Sequence, residues 1–137
     1  MLSVEQVKKI LSEAVSNLFE KQPNIFEFTS ETGQTEWNLA HHLANEIHAY
    51  FSEFDCDLDL IKVNYDRKRP DIVIHKRGTN DSNFLVIEVK YDRDQRSISD
   101  DVEKIKTNWF RGNLNYRFGA VVNLSGSKSS QVEVFKN

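Results

Sequence analysis

The sequence has one cysteine, Cys56, with two prolines, five glycines and one methionine among its 137 residues. A lone thiol cannot close an internal bridge, so a disulfide scaffold is excluded and the expected setting is reducing and cytoplasmic. So little glycine and proline excludes collagen-like and low-complexity chains. No apolar run approaches the roughly 18 residues of a membrane helix. The N-terminal MLSVEQVKKILSEAV is amphipathic and charged, unlike the apolar core of a signal peptide, and no membrane role is expected. Charge of one sign is missing too: 18 Lys and Arg against 21 Asp and Glu leave a net −3. That excludes a protein that coats nucleic acid by bulk positive charge, yet leaves room for a local basic groove.

What is present is a 39% hydrophobic chain with nine Phe, enough for one core without metal staples. A single domain over 1–137 is expected, with an N-terminal helix and loop over 1–34, a core over 35–124 and a terminal strand over 125–137. Val4, Val7, Ile10, Leu11, Ala14, Val15 and Leu18 recur at helical spacing behind a Ser3 cap. Lys21 to Gln34 has no sustained period and reads as a loop. A second helix starts at Thr35, its cap, with Leu39, Ala40, Leu43, Ile47, Tyr50 and Phe51 as its stripe, and ends near Phe54 and Asp55. The period then switches. Leu58, Leu60 and Val63 open a strand region, followed by strands over Pro70–Lys76 and Phe84–Lys90, rich in β-branched residues. The loop RGTNDS between the latter two is short enough for a hairpin. A third helix, capped by Ser99 or Asp100, runs through Val102, Ile105 and Trp109 and stops at Gly112. Strands over Phe118–Leu124 and Val132–Phe135 complete the order α, α, β, β, β, α, β, β: an α/β fold with a mixed central sheet flanked by helices.

Alternation along a strand puts Glu88 and Lys90 on one face and Asp71, Val73 and His75 together on one face of the neighbouring strand. If the hairpin closes with Lys76 opposite Asn83, antiparallel pairing sets Asp71 opposite Glu88, since both pairs of position numbers share one sum. Charged groups on strands this apolar are costly unless paired. A divalent cation is one such partner. The apolar stripe of the second helix centres on the direction of Glu36, which therefore faces the core side, whereas Glu46 lies at the stripe's edge. Carboxylates of this kind suit magnesium, with manganese as a substitute, better than zinc.

Pro70-Asp71, then Glu88, any residue and Lys90, on adjacent strands after a helix carrying Glu36, resemble the PD-(D/E)XK nuclease superfamily, which includes restriction endonuclease-like and Holliday junction resolvase-like proteins. The likeness spans roughly Thr35 to Leu124, and RPDIVIHKRG with NFLVIEVK is similar to small members from bacteria and their mobile elements. The resemblance implies an αβββαβ core carrying an extra N-terminal helix. It implies magnesium held by Asp71, Glu88 and the backbone carbonyl of Val89, a catalytic role for Lys90, and an auxiliary acid in Glu36.

Each residue also has a plainer reading. Glu-any-Lys alone is common on solvated strands as a minor ion pair. Glu36, in a first helical turn, favours the macrodipole by about 0.3–1 kcal/mol. Arg67, Lys68, Arg69, Lys76 and Arg77, with Lys62, flank the Asp71 strand and are either phosphate contacts or a solvated turn diluted by Asp66. Asp101 and Lys104 fall outside the Val102 and Ile105 stripe, lining the cleft or facing water. His41, His42 and His48 belong to the surface, His75 to the core, and Trp37, Trp109 and Phe110 to the core or an interface. The expected function is a magnesium-dependent endonuclease acting on DNA. The alternative is a non-catalytic nucleic-acid or protein interaction module on the same fold. No appended recognition domain is evident, which leaves a homodimer or a protein partner as its source.

Overall fold

The structure, a computed structural model, describes residues 2–27, 29, 33–60 and 69–137. The proposed strand position Val63 and the basic residues Lys62, Arg67 and Lys68, with Asp66, lie outside the described residues.

The element order is α1 (Val4–Lys21), α2 (Thr35–His48), β1 (Asp55–Leu58), β2 (Ile72–His75), β3 (Leu85–Tyr91), α3 (Gln95–Asn108), β4 (Phe118–Leu124) and β5 (Ser130–Lys136). The five strands form one mixed sheet in the order β1-β2-β3-β4-β5, antiparallel throughout except for the parallel β3–β4 pair. A parallel pair needs a crossover, which α3 supplies. Ile72, Ile74, Leu85, Ile87, Val89, Phe118, Ala120 and Val122 point to the face covered by α1 and α2. Val73, Val86 and Val121 point to the other, where Ile98, Ile105 and Trp109 pack from α3 and the segment that follows it. The alternating faces of β2, β3 and β4 are thus both apolar, as central strands demand.

Local chemistry explains most boundaries. Ser3 accepts from the Gln6 amide while the Gln6 side chain accepts from the Ser3 amide, a reciprocal cap on α1. Gly78, at φ +81°, turns the chain between β2 and β3 where a Cβ would be strained. Several expectations are corrected. Gln34, not Thr35, is the N-cap of α2, and the Thr35 hydroxyl instead pairs with Thr29 at 3.0 Å. The helix stops at His48, so Tyr50 is exposed rather than part of the stripe. β1 covers Asp55–Leu58, so it begins three residues before the expected strand and ends before Leu60; its Asp55 and Asp57 side chains are taken up by Arg77 and His75. Charged residues suit an edge strand. The cap of α3 is Asp94, whose carboxylate accepts from the Ser97 amide at 2.9 Å. Among the described residues no helix is long and apolar enough to cross a membrane.

Gly119 sets how closely α3 approaches the sheet. A Cβ there would meet Ile105 Cγ2 at 2.6 Å and Phe135 Cε2 at 2.6 Å, distances that force a shift of core side chains. Gly119→Ala should therefore destabilise the fold by about 1–3 kcal/mol, read as a lower urea midpoint with an unchanged slope. A variant as stable as the parent would mean that α3 can rise off the sheet without loss.

Candidate active site

Three side chains of the expected set meet at one end of the sheet. The β2–β3 register pairs Ile72 with Ile87, Val73 with Val86 and Ile74 with Leu85, so the next positions along it are Asp71 and Glu88. Both lie on the face of Val73 and Val86, the α3 side, as does Lys90 two residues on. Asp71 Oδ2 accepts from the peptide N–H of Val89 at 2.7 Å. That is the residue whose carbonyl the family likeness assigns to metal.

Burial and repulsion dominate the electrostatics. Burial, the Asp71 charge and a hydrogen bond to Asp71 push the Glu88 carboxyl up to about 9, with Asp101 adding to the rise and Lys90 opposing it. Burial also raises Asp71, despite the Val89 amide, the Glu88 hydrogen bond and Lys90. Two facing carboxyls that cannot both ionise share a proton. Glu88 is therefore neutral near pH 7.

The third helix supplies a residue that was expected only to line the cleft or face water. Asp101 is 4% exposed, and its Oδ2 lies 3.1 Å from Lys90 Nζ, with Lys104 Nζ 3.8 Å from Oδ1. Burial alone would lower the Lys90 ammonium, but the adjacent Asp101 carboxylate, with Glu88 and Glu36, raises it instead. The expected stripe omitted Asp101 because it was read from Val102, which is only partly buried. Asp101 stands three residues after buried Ile98 and four before buried Ile105, on their side of the helix. That spacing was the available signal, hidden by the charge.

Glu36 comes from the opposite layer and reaches the end of β3. Its Oε2 accepts from the Tyr91 amide at 3.0 Å and from Arg93 Nε at 3.1 Å, and Oε1 from Arg93 Nη2 at 3.4 Å. Nothing in the sequence singled out Arg93. Its peptide is held in turn by Asn123 of β4, which accepts from the Arg93 N–H and donates to its carbonyl. With Glu88 neutral, the acids Asp71, Asp101 and Glu36 are matched by the cations Lys90, Arg93 and Lys104. Ionising Glu88 would leave one negative charge in excess. Glu46, the weaker acid candidate, pairs with Lys21 at 2.9 Å and ties α2 to α1.

The basic residues separate into two groups. Arg69 is near Asp71 and pairs with Asp59 at 3.4 Å. Lys76 and Arg77 lie at the far end of β2, some five or six residues or about 17–20 Å from Asp71. There Lys76 sits over the Phe54 ring and Arg77 grips Asp57 with both Nε and Nη2. His75 is buried as expected, its Nε2 2.7 Å from Asp57 Oδ2. His41 and His48 are exposed and His42 partly so. Trp109 and Phe110 are core, but Trp37 is 68% exposed, on the wall of a cavity of about 480 Å³ that also includes Asp71.

The fit to a divalent cation rests on the acid pair. Among the described residues no group of three or more His, Cys, Asp or Glu side chains is arranged to hold a metal ion. Two facing carboxylates are within the range magnesium accepts, since it keeps most of its waters, and a cation would supply the charge that the shared proton now supplies. Comparison of the chain with protein-family models, with curated proteins and with solved structures finds no match.

Proposed function

We propose that the protein is a magnesium-dependent endonuclease with a restriction endonuclease-like core, hydrolysing phosphodiester bonds in DNA. The observation that carries this reading is the facing of the Asp71 and Glu88 carboxyls on adjacent strands, beside a lysine whose ammonium pairs with a buried aspartate. The run α2, β1, β2, β3, α3, β4 supports it by matching the αβββαβ order of the family that the sequence resembles.

In this reading Asp71, Glu88 and the Val89 carbonyl hold the metal. When bound, magnesium polarises the phosphate and makes a coordinated water more acidic. Lys90 keeps its proton, because Asp101 favours the ammonium. It therefore serves as a fixed cation that donates to a phosphate oxygen or to the attacking water, and not as a general base. Asp101 aims Lys90, and Glu36 with Arg93 braces the end of β3 from which Lys90 projects.

The test is direct. End-labelled linear, nicked, branched and single-stranded DNA are incubated with the protein in magnesium, manganese or chelator, with Glu88→Ala beside the parent. Metal-dependent cutting that falls by at least about 10³-fold in the variant is the expected result. Equal activity of parent and variant would point to a contaminant and remove Glu88 from the mechanism. Binding without cutting by the parent would favour a non-catalytic nucleic-acid module instead.

A further inference from the structure

The cavity beside the acid pair has no role in the chemistry above. Its walls include Trp37, Ala40 and His41 of α2, Leu58 and Asp59 at the end of β1, and Asp71. Asp71 thus belongs both to the acid pair and to the cavity, and the Asp59 N–H donates to the Asp71 carbonyl at 3.1 Å, which joins that wall to the site. Trp37 and His41 are four residues apart in one helix and project on the same side. Trp37, Tyr50 and Leu58 are the large hydrophobic side chains left exposed among the described residues, and two of the three line this one cavity.

We propose that the cavity takes one unpaired nucleobase of the strand being cut, stacked on the Trp37 indole, so that the protein acts on single-stranded or frayed nucleic acid in preference to continuous duplex. The inference rests on the nuclease reading and specifies its substrate. Three observations select a base over other occupants. First, about 480 Å³ lies in the range of small-ligand sites. Second, the exposed Trp37 indole on the wall offers a flat face on which an uncharged aromatic ring stacks. Third, Asp71 is shared between the acid pair and the cavity wall, so the two adjoin at that residue. A base inside a duplex is stacked and paired, so only an unpaired or extruded one can enter.

The experiment separates this inference from the reading beneath it. Binding of a labelled single strand and of its blunt duplex is measured in chelator for the parent, Trp37→Ala and Trp37→Phe, all checked for the parental melting temperature. Quenching of tryptophan emission is followed in parallel, since the other tryptophan, Trp109, is 3% exposed. Single-strand affinity should fall about 5- to 150-fold in Trp37→Ala and stay near the parent in Trp37→Phe, with duplex affinity unchanged. Single strand should also quench the parent's emission, and Trp37→Phe should lose that signal. Unchanged single-strand binding by Trp37→Ala, or an equal loss in Trp37→Phe, would overturn the stacking site while metal-dependent cleavage and its loss in Glu88→Ala stood. Dissociation of a dimer by Trp37→Ala, without loss of strand binding, would overturn it in favour of a second copy as occupant. Failure of the parent to bind or cut any nucleic acid would remove the nuclease reading and this inference with it.

Discussion

Glu88→Gln should make the metal-free protein more stable at alkaline pH, by on the order of 6 kcal/mol at pH 9. The folded Glu88 carboxyl keeps its proton up to about 9, against an ordinary value of 4.5. Between those values the folded chain holds a proton that the unfolded chain has released. Stability is therefore complete below about pH 4.5 and falls as pH rises through the window, by at most about 1.4 kcal/mol per unit. A glutamine amide fills the same space, donates to Asp71 as the protonated carboxyl does, and cannot ionise. The parent and the variant should thus have similar urea midpoints near pH 5 and diverge steadily toward pH 9. Magnesium extends the prediction: at pH 8 it should raise the parent's midpoint and leave the variant's nearly unmoved, because the cation takes the place of the shared proton. Parallel pH profiles for the two proteins would mean that Asp71 and Glu88 do not compete for one proton.

The facing of Asp71 and Glu88 was legible in the sequence because it depends on a local rule. The short RGTNDS loop constrains how Pro70–Lys76 meets Phe84–Lys90, and once Lys76 faces Asn83 every later pair follows. The register of Ile72 with Ile87 is the one that rule requires. β4, over Phe118–Leu124, was legible to the residue because both its faces are apolar.

What escaped was polar chemistry standing where apolar chemistry was sought. The first turn of α3 reads Gln95, Arg96, Ser97, which carries no apolar period, so the helix seemed to begin where Val102 and Ile105 made it visible. β1 was hidden in the same way by Asp55 and Asp57, whose partners are His75 of the next strand and Arg77 just beyond it. The direction of Glu36 was legible from helical geometry. Its partners were not, because Tyr91 and Arg93 lie 55 and 57 residues away, and no local pattern encodes a contact between opposite layers around the end of a sheet. Trp37 illustrates the converse. An aromatic in an amphipathic helix is usually core, but Trp37 lies off the stripe of Leu39, Leu43 and Ile47 and stays in solvent.

Asp101→Asn should cut cleavage by about 10²–10³-fold, nearly as much as Lys90→Ala. Asp101 is too deeply buried to bind substrate freely, so its effect must pass through the ammonium it holds at 3.1 Å. Replacing the carboxylate with an amide keeps the shape but removes the charge that offsets Lys90's partial burial. Only Glu88 and Glu36 are then left to oppose burial, and the ammonium's pKa falls from its value in the parent. Two consequences separate this role from a merely structural one. The rate of Asp101→Asn should decline at a lower alkaline pH than that of the parent, because Lys90 loses its proton sooner. The double variant Asp101→Asn, Lys90→Ala should be no slower than Lys90→Ala alone, because an aspartate that acts only by holding Lys90 has nothing left to hold. Losses that multiply in the double variant, with the alkaline limb unmoved, would assign Asp101 to packing and leave Lys90 positioned by the strand alone. Asp101→Ala adds a stability readout: an ammonium half-buried without its partner should cost about 3–5 kcal/mol, and Lys90→Met in the same background should recover part of it.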